Sequence, residues 1–308
     1  MAPLKILVTG KNGQLGWELL RTLATLGEVT GVDVDTLDLT DQAKVAALVR
    51  ELRPDLIVHP AAFTAVDAAE KQPELAQKVN GEAPGLLAAL AKEAGALFVG
   101  YSTDYVFDGG KAGFTEEDTP NPLNVYGRTK LAGDRAIAAS DASYLIFRVS
   151  WLYGARGKNY LLTMLRLLRN GTPLRIVNDQ IGAPTWARSV AEATAQAVAR
   201  IQSVAGGGSL AEKARQYRGV YNLTCAGSVS WHGFTQAIAT GAMQRGLLAS
   251  VPEIPGIPTS EYKTDAVRPL NSLLDNAKVQ KTFAIHMPEW QTALNLVLDE
   301  VAEKQVPC

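Results

Sequence analysis

Tyr126 and Lys130 are four residues apart, the spacing that puts two side chains on one face of a helix, one turn from each other. A phenol ordinarily loses its proton near pH ~10, and an ammonium one turn away favours the phenolate, so the pair is expected to have its pKa drawn down toward neutrality for acid–base work. An ordinary surface helix can carry the same two residues. The rest of the chain argues against that reading. Ser102-Thr103-Asp104 offers a hydroxyl and a carboxylate, and Gly10-Lys11-Asn12-Gly13-Gln14-Leu15-Gly16 is a glycine-rich turn. A turn of that kind between a strand and a helix lets a dinucleotide's diphosphate rest on the helix N-terminus.

The elements that must position these residues follow a β-α rhythm. Leu4 to Val8 is a short apolar strand, the glycine turn follows it, and Trp17 to Leu26 has helical periodicity. Glu28 to Asp33 is expected as a second strand. It ends in an acid about 20 residues beyond the turn, where a carboxylate can bind adenosine ribose hydroxyls. Asp38 and Leu39 follow at the next strand-end loop, as an adenine contact. A helix over 41–52, a strand over 55–58 and the loop Ala61-Ala62-Phe63-Thr64 come next, then helices over 66–79 and 82–94 and a strand over 96–102. Such alternation predicts a parallel sheet, with ligands bound outside the carboxyl ends of its strands. Residues 10–16, 33, 61–64 and 102–104 all fall at that edge. After an irregular stretch (109–124) comes the helix with Tyr126, a strand over 144–150, and Trp151 at its carboxyl end. Helices are expected over 159–169, 188–201 and 230–245, strands over 174–177 and 219–224, and two helices close the chain. The polar stretch Gly206 to Arg218 reads as a flexible surface insertion without function.

Composition narrows the classes. With 308 residues, 47% of them hydrophobic and 20% charged, the chain can bury a large core in two domains or in one domain with a lobe. A formal net charge of −1 gives no reason to expect nucleic acid or an anionic membrane as partner. Cys225 and Cys308 are the only cysteines and the three histidines are scattered, so neither a disulfide framework nor a zinc spacing is present. No apolar run reaches the ~18–20 residues of a membrane span, and no signal peptide is recognisable, so a cytoplasmic location is expected.

The glycine turn, Thr103 and Tyr126-x-x-x-Lys130 together resemble the extended short-chain dehydrogenase/reductases. Longer strings narrow the resemblance to the dTDP-4-dehydrorhamnose reductase family: Ser102-Thr-Asp-Tyr-Val-Phe-Asp-Gly109, Pro122-Leu-Asn-Val-Tyr-Gly-Arg-Thr-Lys-Leu-Ala-Gly133, Asn178-Asp-Gln-Ile-Gly-Ala-Pro-Thr185 and Arg268-Pro-Leu-Asn-Ser272. The resemblance implies an α/β fold, a Rossmann-type doubly wound parallel sheet with a smaller C-terminal α/β substrate lobe. It divides the chain into a dinucleotide domain over 1–150 and a mainly substrate-binding lobe over 151–308, with segments near 175–205 and 219–250 crossing back. It implies NADPH- or NADH-dependent reduction of the C4 ketone of dTDP-4-dehydro-6-deoxy-L-mannose to dTDP-L-rhamnose, by a monomer or homodimer. Tyr126 matches the proton donor, Lys130 its partner and Thr103 the hydroxyl on the sugar carbonyl. Asp104 and Trp151 match sugar contacts. Gly10, Asn12, Gly13, Gln14, Leu15, Gly16, Asp33, Asp38, Leu39, Ala62, Phe63 and Thr64 match the cofactor site, with Tyr126 and Lys130. Arg268 is a candidate for the substrate diphosphate.

Three departures bear on function. His59-Pro60 and Phe63 stand where related chains carry Asn-Ala and His. Some members dimerise around a magnesium ion held by glutamates, but the acid expected after Ala183-Pro-Thr-Trp-Ala187 is Arg188 here, which weighs against Mg²⁺ and against that particular dimer, and no metal ligand is assigned. Asp33 and Lys11 pull opposite ways on a 2′-phosphate, and NADH is expected to serve at least as well as NADPH. Two alternatives stay open. One is another nucleotide-sugar ketoreductase, dehydratase or epimerase, although Tyr105 replaces the second carboxylate a dehydratase needs. The other is a non-catalytic subunit resembling the regulatory subunit of methionine adenosyltransferase.

Overall fold

The computed structural model describes residues 3–304; Cys308 lies outside the described residues. Six parallel strands form one sheet: β1 (Leu4–Val8), β2 (Gly27–Gly31), β3 (Leu56–His59), β4 (Leu97–Thr103), β5 (Ser143–Val149) and β6 (Gly219–Asn222), in the order β6-β5-β4-β3-β1-β2. The order reverses between β1 and β3, which opens a crevice at the carboxyl ends of those two strands. This is the parallel sheet the alternation predicts, in the α/β doubly wound arrangement the resemblance implies. β2 stops at Gly31, so Asp33 sits in the turn after the strand rather than at its end.

Both faces of the sheet are covered, and each strand feeds both. Leu4, Ile6 and Val8 point into a core shared with Leu15, Leu19, Val190 and Ala197. Leu7, Ile57 and Phe98 point the other way, against Val45, Val49, Leu87 and Ile137. The helix Ala187–Gln202 therefore lies on the same face as the helix Gln14–Thr22, and β6 extends the sheet, although both come after residue 150.

One helix differs from the periodic pattern. The run over 66–79 breaks at Pro73, which lacks an N–H, into Val66–Lys71 and Pro73–Gln77. A wide π turn, Lys78–Glu82, then leads into Ala83–Ala94. A second core, rich in aromatics, gathers Tyr153, Leu161, Trp186, Phe234, Trp290 and Leu298. Its strands are only two residues long: Leu152–Tyr153 pairs with Thr185–Trp186, and Ile181–Gly182 with Val229–Ser230. The stretch 206–218 is not merely a flexible insertion. Ser209 and Glu212 form a reciprocal capping box that starts the helix Leu210–Ala214, and Leu210 and Ala214 are buried in the first core.

Candidate active site

The glycine turn is built for close backbone approach. Gly10 has φ +62°, and a Cβ there would lie 2.9 Å from Ala61 Cα; a Cβ on Gly16 would lie 2.0 Å from the Gly10 carbonyl oxygen. Larger residues cannot hold this turn against the helix Gln14–Thr22. That helix starts at Gly13 with no side chain capping it, which leaves its first amides for an anion. Asp33 stiffens the turn: its carboxylate accepts from the Asn12 amide (2.8 Å) and from the Val34 amide (2.7 Å). The turn forms one end of a cleft of ≈ 590 Å³. A second cavity of ≈ 250 Å³, lined by Asp33, Leu37, Asp38, Leu39 and Ala62, adjoins it where an adenosine would extend. A cradle that any Cβ would fill, with uncapped amides and an adjoining slot, fits a dinucleotide.

At the other end of the same cleft stand Thr103, Asp104, Tyr126, Lys130 and Trp151. Thr103 is the last residue of β4. Its hydroxyl donates to Asp104 Oδ1 (2.9 Å), accepts from the Tyr105 amide (3.2 Å) and is hydrogen-bonded to the Tyr126 hydroxyl. The helix Val125–Ala139 is aimed by its cap: Asn124 Oδ1 accepts from the Gly127 amide (2.8 Å), and its Nδ2 donates to the Val267 carbonyl (2.8 Å). Gly127 is required there, since a Cβ would meet the Tyr105 carbonyl oxygen at 2.2 Å. Lys130, buried one turn on, donates from Nζ to the Tyr101 carbonyl (2.6 Å).

The electrostatics differ from the simple expectation for the pair. Burial pushes the Tyr126 phenol up to about 12, the Thr103 hydrogen bond opposes this, and the Asp104 and Asp134 carboxylates add to the rise. The ammonium expected to lower it is turned to the Tyr101 carbonyl, and burial lowers its own pKa, with Asp134 opposing. Tyr126 is therefore a neutral phenol at pH 7, holding a proton it can give. Asp104, buried, is pushed up to about 6 by desolvation against hydrogen bonds from Ser272, Thr103 and Ser150. It serves the Thr103 hydroxyl while also facing the cleft.

Of the residues singled out from sequence, Gly10, Asn12, Gly13, Gln14, Leu15, Gly16, Asp33, Ala62 and Thr64 line this cleft along with the five at its other end. Two lie off both cavities. Phe63 exchanges backbone hydrogen bonds with the Asn80 side chain (2.8 and 3.0 Å) instead. Arg268 is spent on Asp67, with Nη1 at 3.1 Å and Nη2 at 2.6 Å from the two carboxylate oxygens, so its charge is already matched. Trp151 holds a left-handed backbone (φ +46°) while its ring stacks on Trp231 at 3.5 Å, above a Gly182 that leaves it room. Sequence reasoning missed Asn80, which donates to Thr129 and so ties the 61–64 loop to the catalytic helix. Its signal was faint: an Asn-Gly inside a helical run, here the π turn.

A magnesium ion does not fit. Arg188 Nε lies 3.1 Å from Glu18 Oε2, and its Nη2 lies 3.3 Å from Glu300 Oε2. A guanidinium thus stands between the carboxylates that a cation would need, and no group of three metal-ligating side chains occurs among the described residues.

Comparison with known proteins follows the same lines. A family model described as the RmlD substrate binding domain matches residues 4–303. A dTDP-4-dehydrorhamnose reductase from Burkholderia thailandensis is 46% identical, covering 97% of this chain and 99% of its own length. One from Salmonella typhimurium is 41% identical over 97% and 98%. The solved structure of a dTDP-4-dehydrorhamnose reductase from Bacillus anthracis in complex with NADP has TM-score 0.85 and 31% identity, over 97% of this chain and 99% of that one. A UDP-glucose 4-epimerase from Thermus thermophilus shares the fold alone, at 20% identity and TM-score 0.75.

Proposed function

Because the chain belongs to the dTDP-4-dehydrorhamnose reductase family, we propose that it is an NAD(P)H-dependent oxidoreductase of dTDP-rhamnose synthesis. It reduces the C4 ketone of dTDP-4-dehydro-6-deoxy-L-mannose to the alcohol of dTDP-L-rhamnose. The observation that carries this reading is one cleft with a neutral, Thr103-bonded Tyr126 at one end and an uncapped glycine turn at the other.

The dinucleotide, when bound, supplies the hydride. The chain's own residues do the rest. Tyr126 gives its phenolic proton to the C4 oxygen as negative charge develops there, and the Thr103 hydroxyl hydrogen-bonds the same oxygen. Asp104 accepts from Thr103 before the ketone is bound; the hydroxyl has one proton, so it must turn from Asp104 to donate to the C4 oxygen. Lys130 lies one helical turn from Tyr126 with its ammonium on the Tyr101 carbonyl, and would have to turn from that carbonyl to stabilise the phenolate that Tyr126 becomes. Trp151 offers an apolar face to the sugar, backed by Trp231. Residues 1–150 carry the dinucleotide, and those after 150 chiefly carry the sugar nucleotide. Tyr105, packed edge-on against Tyr126 at 5.9 Å, stands where a dehydratase needs a second carboxylate after Asp104.

No described helix is long and apolar enough to cross a membrane. A cytoplasmic enzyme with a buried reduced thiol at Cys225 suits the reading, as monomer or homodimer. Incubating the protein with the 4-keto sugar nucleotide and NADPH or NADH, then identifying the sugar formed, tests it. No NAD(P)H oxidation, or formation of the 4-epimeric alcohol, overturns the assignment.

A further inference from the structure

The glycine end of the cleft lacks charge to match its ligand. A dinucleotide's diphosphate carries two negative charges, and the residues under it are glycines, Asn12 and Gln14, with Asp33 nearby adding a negative one. Lys11 points away: its Nζ lies 3.9 Å from Asp35, and it lines neither cavity. Among the cleft's residues only Lys130 and Lys158 are cations, and Lys130 is buried at the catalytic end on the Tyr101 carbonyl.

Lys158 comes from the loop after Tyr153 and lines the cleft. That loop is fixed in place. Asn159 Nδ2 donates to the Gly154 and Arg156 carbonyls (2.9 Å each). The Arg156 guanidinium lies 3.2 Å over the Trp17 ring, whose ring also meets Arg21 at 3.4 Å. Gln14 donates to the Leu152 carbonyl (3.4 Å), and a Cβ on Gly157 would lie 3.3 Å from Gln14 Cγ. The loop therefore touches the first turn of the very helix whose amides are uncapped. Gln14 Oε1 is buried there without a partner. Lys158 is exposed and makes no hydrogen bond or ion pair with any described residue.

We propose that Lys158 is the cationic ligand of the dinucleotide's diphosphate, delivered by the 154–158 loop and held over the helix N-terminus by Trp17 and Gln14. The proposal rests on the reductase reading and adds a phosphate ligand to it. A diphosphate ester is the chemistry recognised; the sugar nucleotide also carries one, but the contacts of this loop are with the glycine-turn helix.

The test is direct titration with NADPH and with NADH, without sugar, on wild type, Lys158→Ala and Lys158→Arg, followed by steady-state kinetics. Loss of one charge-assisted contact at an exposed site should weaken both dinucleotides about tenfold in Lys158→Ala. The NADPH:NADH ratio should stay within about twofold, the arginine variant should recover most of the affinity, and the salt dependence of binding should flatten in the alanine variant. Unchanged dinucleotide affinity in Lys158→Ala overturns the proposal. So does a raised KM for the sugar nucleotide alone, which gives Lys158 to the other diphosphate. A wild-type chain that binds neither dinucleotide removes the reductase reading itself, and is distinguishable from both.

Discussion

The two walls of the cleft are made differently. On the sheet side, Thr103 ends a fully buried seven-residue strand, and Lys130 and Asp134 sit on a helix whose face is sealed by Ser102, Asn80 and the Tyr101 carbonyl. Every polar group that does chemistry there has its partner built into backbone or buried side chains. On the lobe side, Trp151 and Lys158 ride on two-residue strands and a short loop, fixed by stacked rings and one asparagine. Proton transfer tolerates little displacement, so its groups grow from the rigid sheet; the lobe wall, which faces the sugar and the dinucleotide's diphosphate, is held instead by stacked rings and one asparagine.

The largest effect should come from the rigid wall. Tyr126→Phe removes the proton and nothing structural except one hydrogen bond to Thr103. We expect kcat to fall by about 10²–10⁴, the usual worth of a positioned acid, with KM for NADPH within about threefold. If kcat stayed within a few-fold of wild type, the contrast drawn between the walls would lose its chemical basis.

Asp104 gives the next effect, through pH. Its folded pKa of about 6 lies above the ordinary 3.8, so the folded state holds the proton more tightly than the unfolded chain does. Stability from this group is then greatest below about pH 4 and is lost as pH rises through about 6, a change of about 3 kcal/mol. Groups such as Asp118, lowered to about 2 by Lys111 and Thr115, act in the opposite direction at lower pH. Melting temperatures of wild type and Asp104→Asn, taken from pH 4.5 to 7.5, separate the two: the difference between the proteins should narrow or change sign as pH rises. Parallel curves would remove Asp104 from the account.

How much of this was legible follows the same division. Strands with continuous apolar runs, a glycine turn at fixed spacing and Tyr126 four residues before Lys130 carry periods that sequence displays, and the sheet, its ligand edge and the pair were read from them. The rest had no period to show. Two-residue strands are too short for alternation, and the stacking of Trp151 on Trp231 joins residues 80 apart. The upward shift of Tyr126 depends on burial and on Asp104 and Asp134, which neighbour it only once folded. Some signals were present and passed over: Ser209-x-x-Glu212 is a capping box, and Pro73 marks a helix break.

A smaller effect concerns cofactor choice. Asp33 is engaged by the Asn12 and Val34 amides, so its carboxylate is oriented rather than loose. We expect NADH to be used at least as well as NADPH, and Asp33→Ala to shift kcat/KM by a few-fold toward NADPH while raising KM for both, because the turn loses a brace. A wild-type preference of a hundredfold for NADPH would contradict this, as would an unchanged ratio in the variant.

The smallest effect is a null result with a sharp control. Arg188 reaches across from the helix Ala187–Gln202 to Glu18 on the glycine-turn helix and to Glu300 on the closing helix. A tethered guanidinium there does for these carboxylates what a divalent ion does for a cluster of acids, without depending on concentration. Burial and Arg188 contend over Glu192 next to it: its pKa is raised by desolvation first, with Arg188 pulling down and Glu18 pushing up. Chelator or millimolar Mg²⁺ should therefore leave the wild-type melting temperature within about 1 °C. Arg188→Ala should lower it by a few degrees, since buried Glu18 loses its partner, a cost of about 1–3 kcal/mol. Arg188→Glu sets a third carboxylate between Glu18 and Glu300, and it should be the least stable of the three without metal and the only one that Mg²⁺ or Ca²⁺ rescues. A wild-type protein stabilised by several degrees on adding Mg²⁺ would mean that the guanidinium yields its place between the carboxylates to an ion.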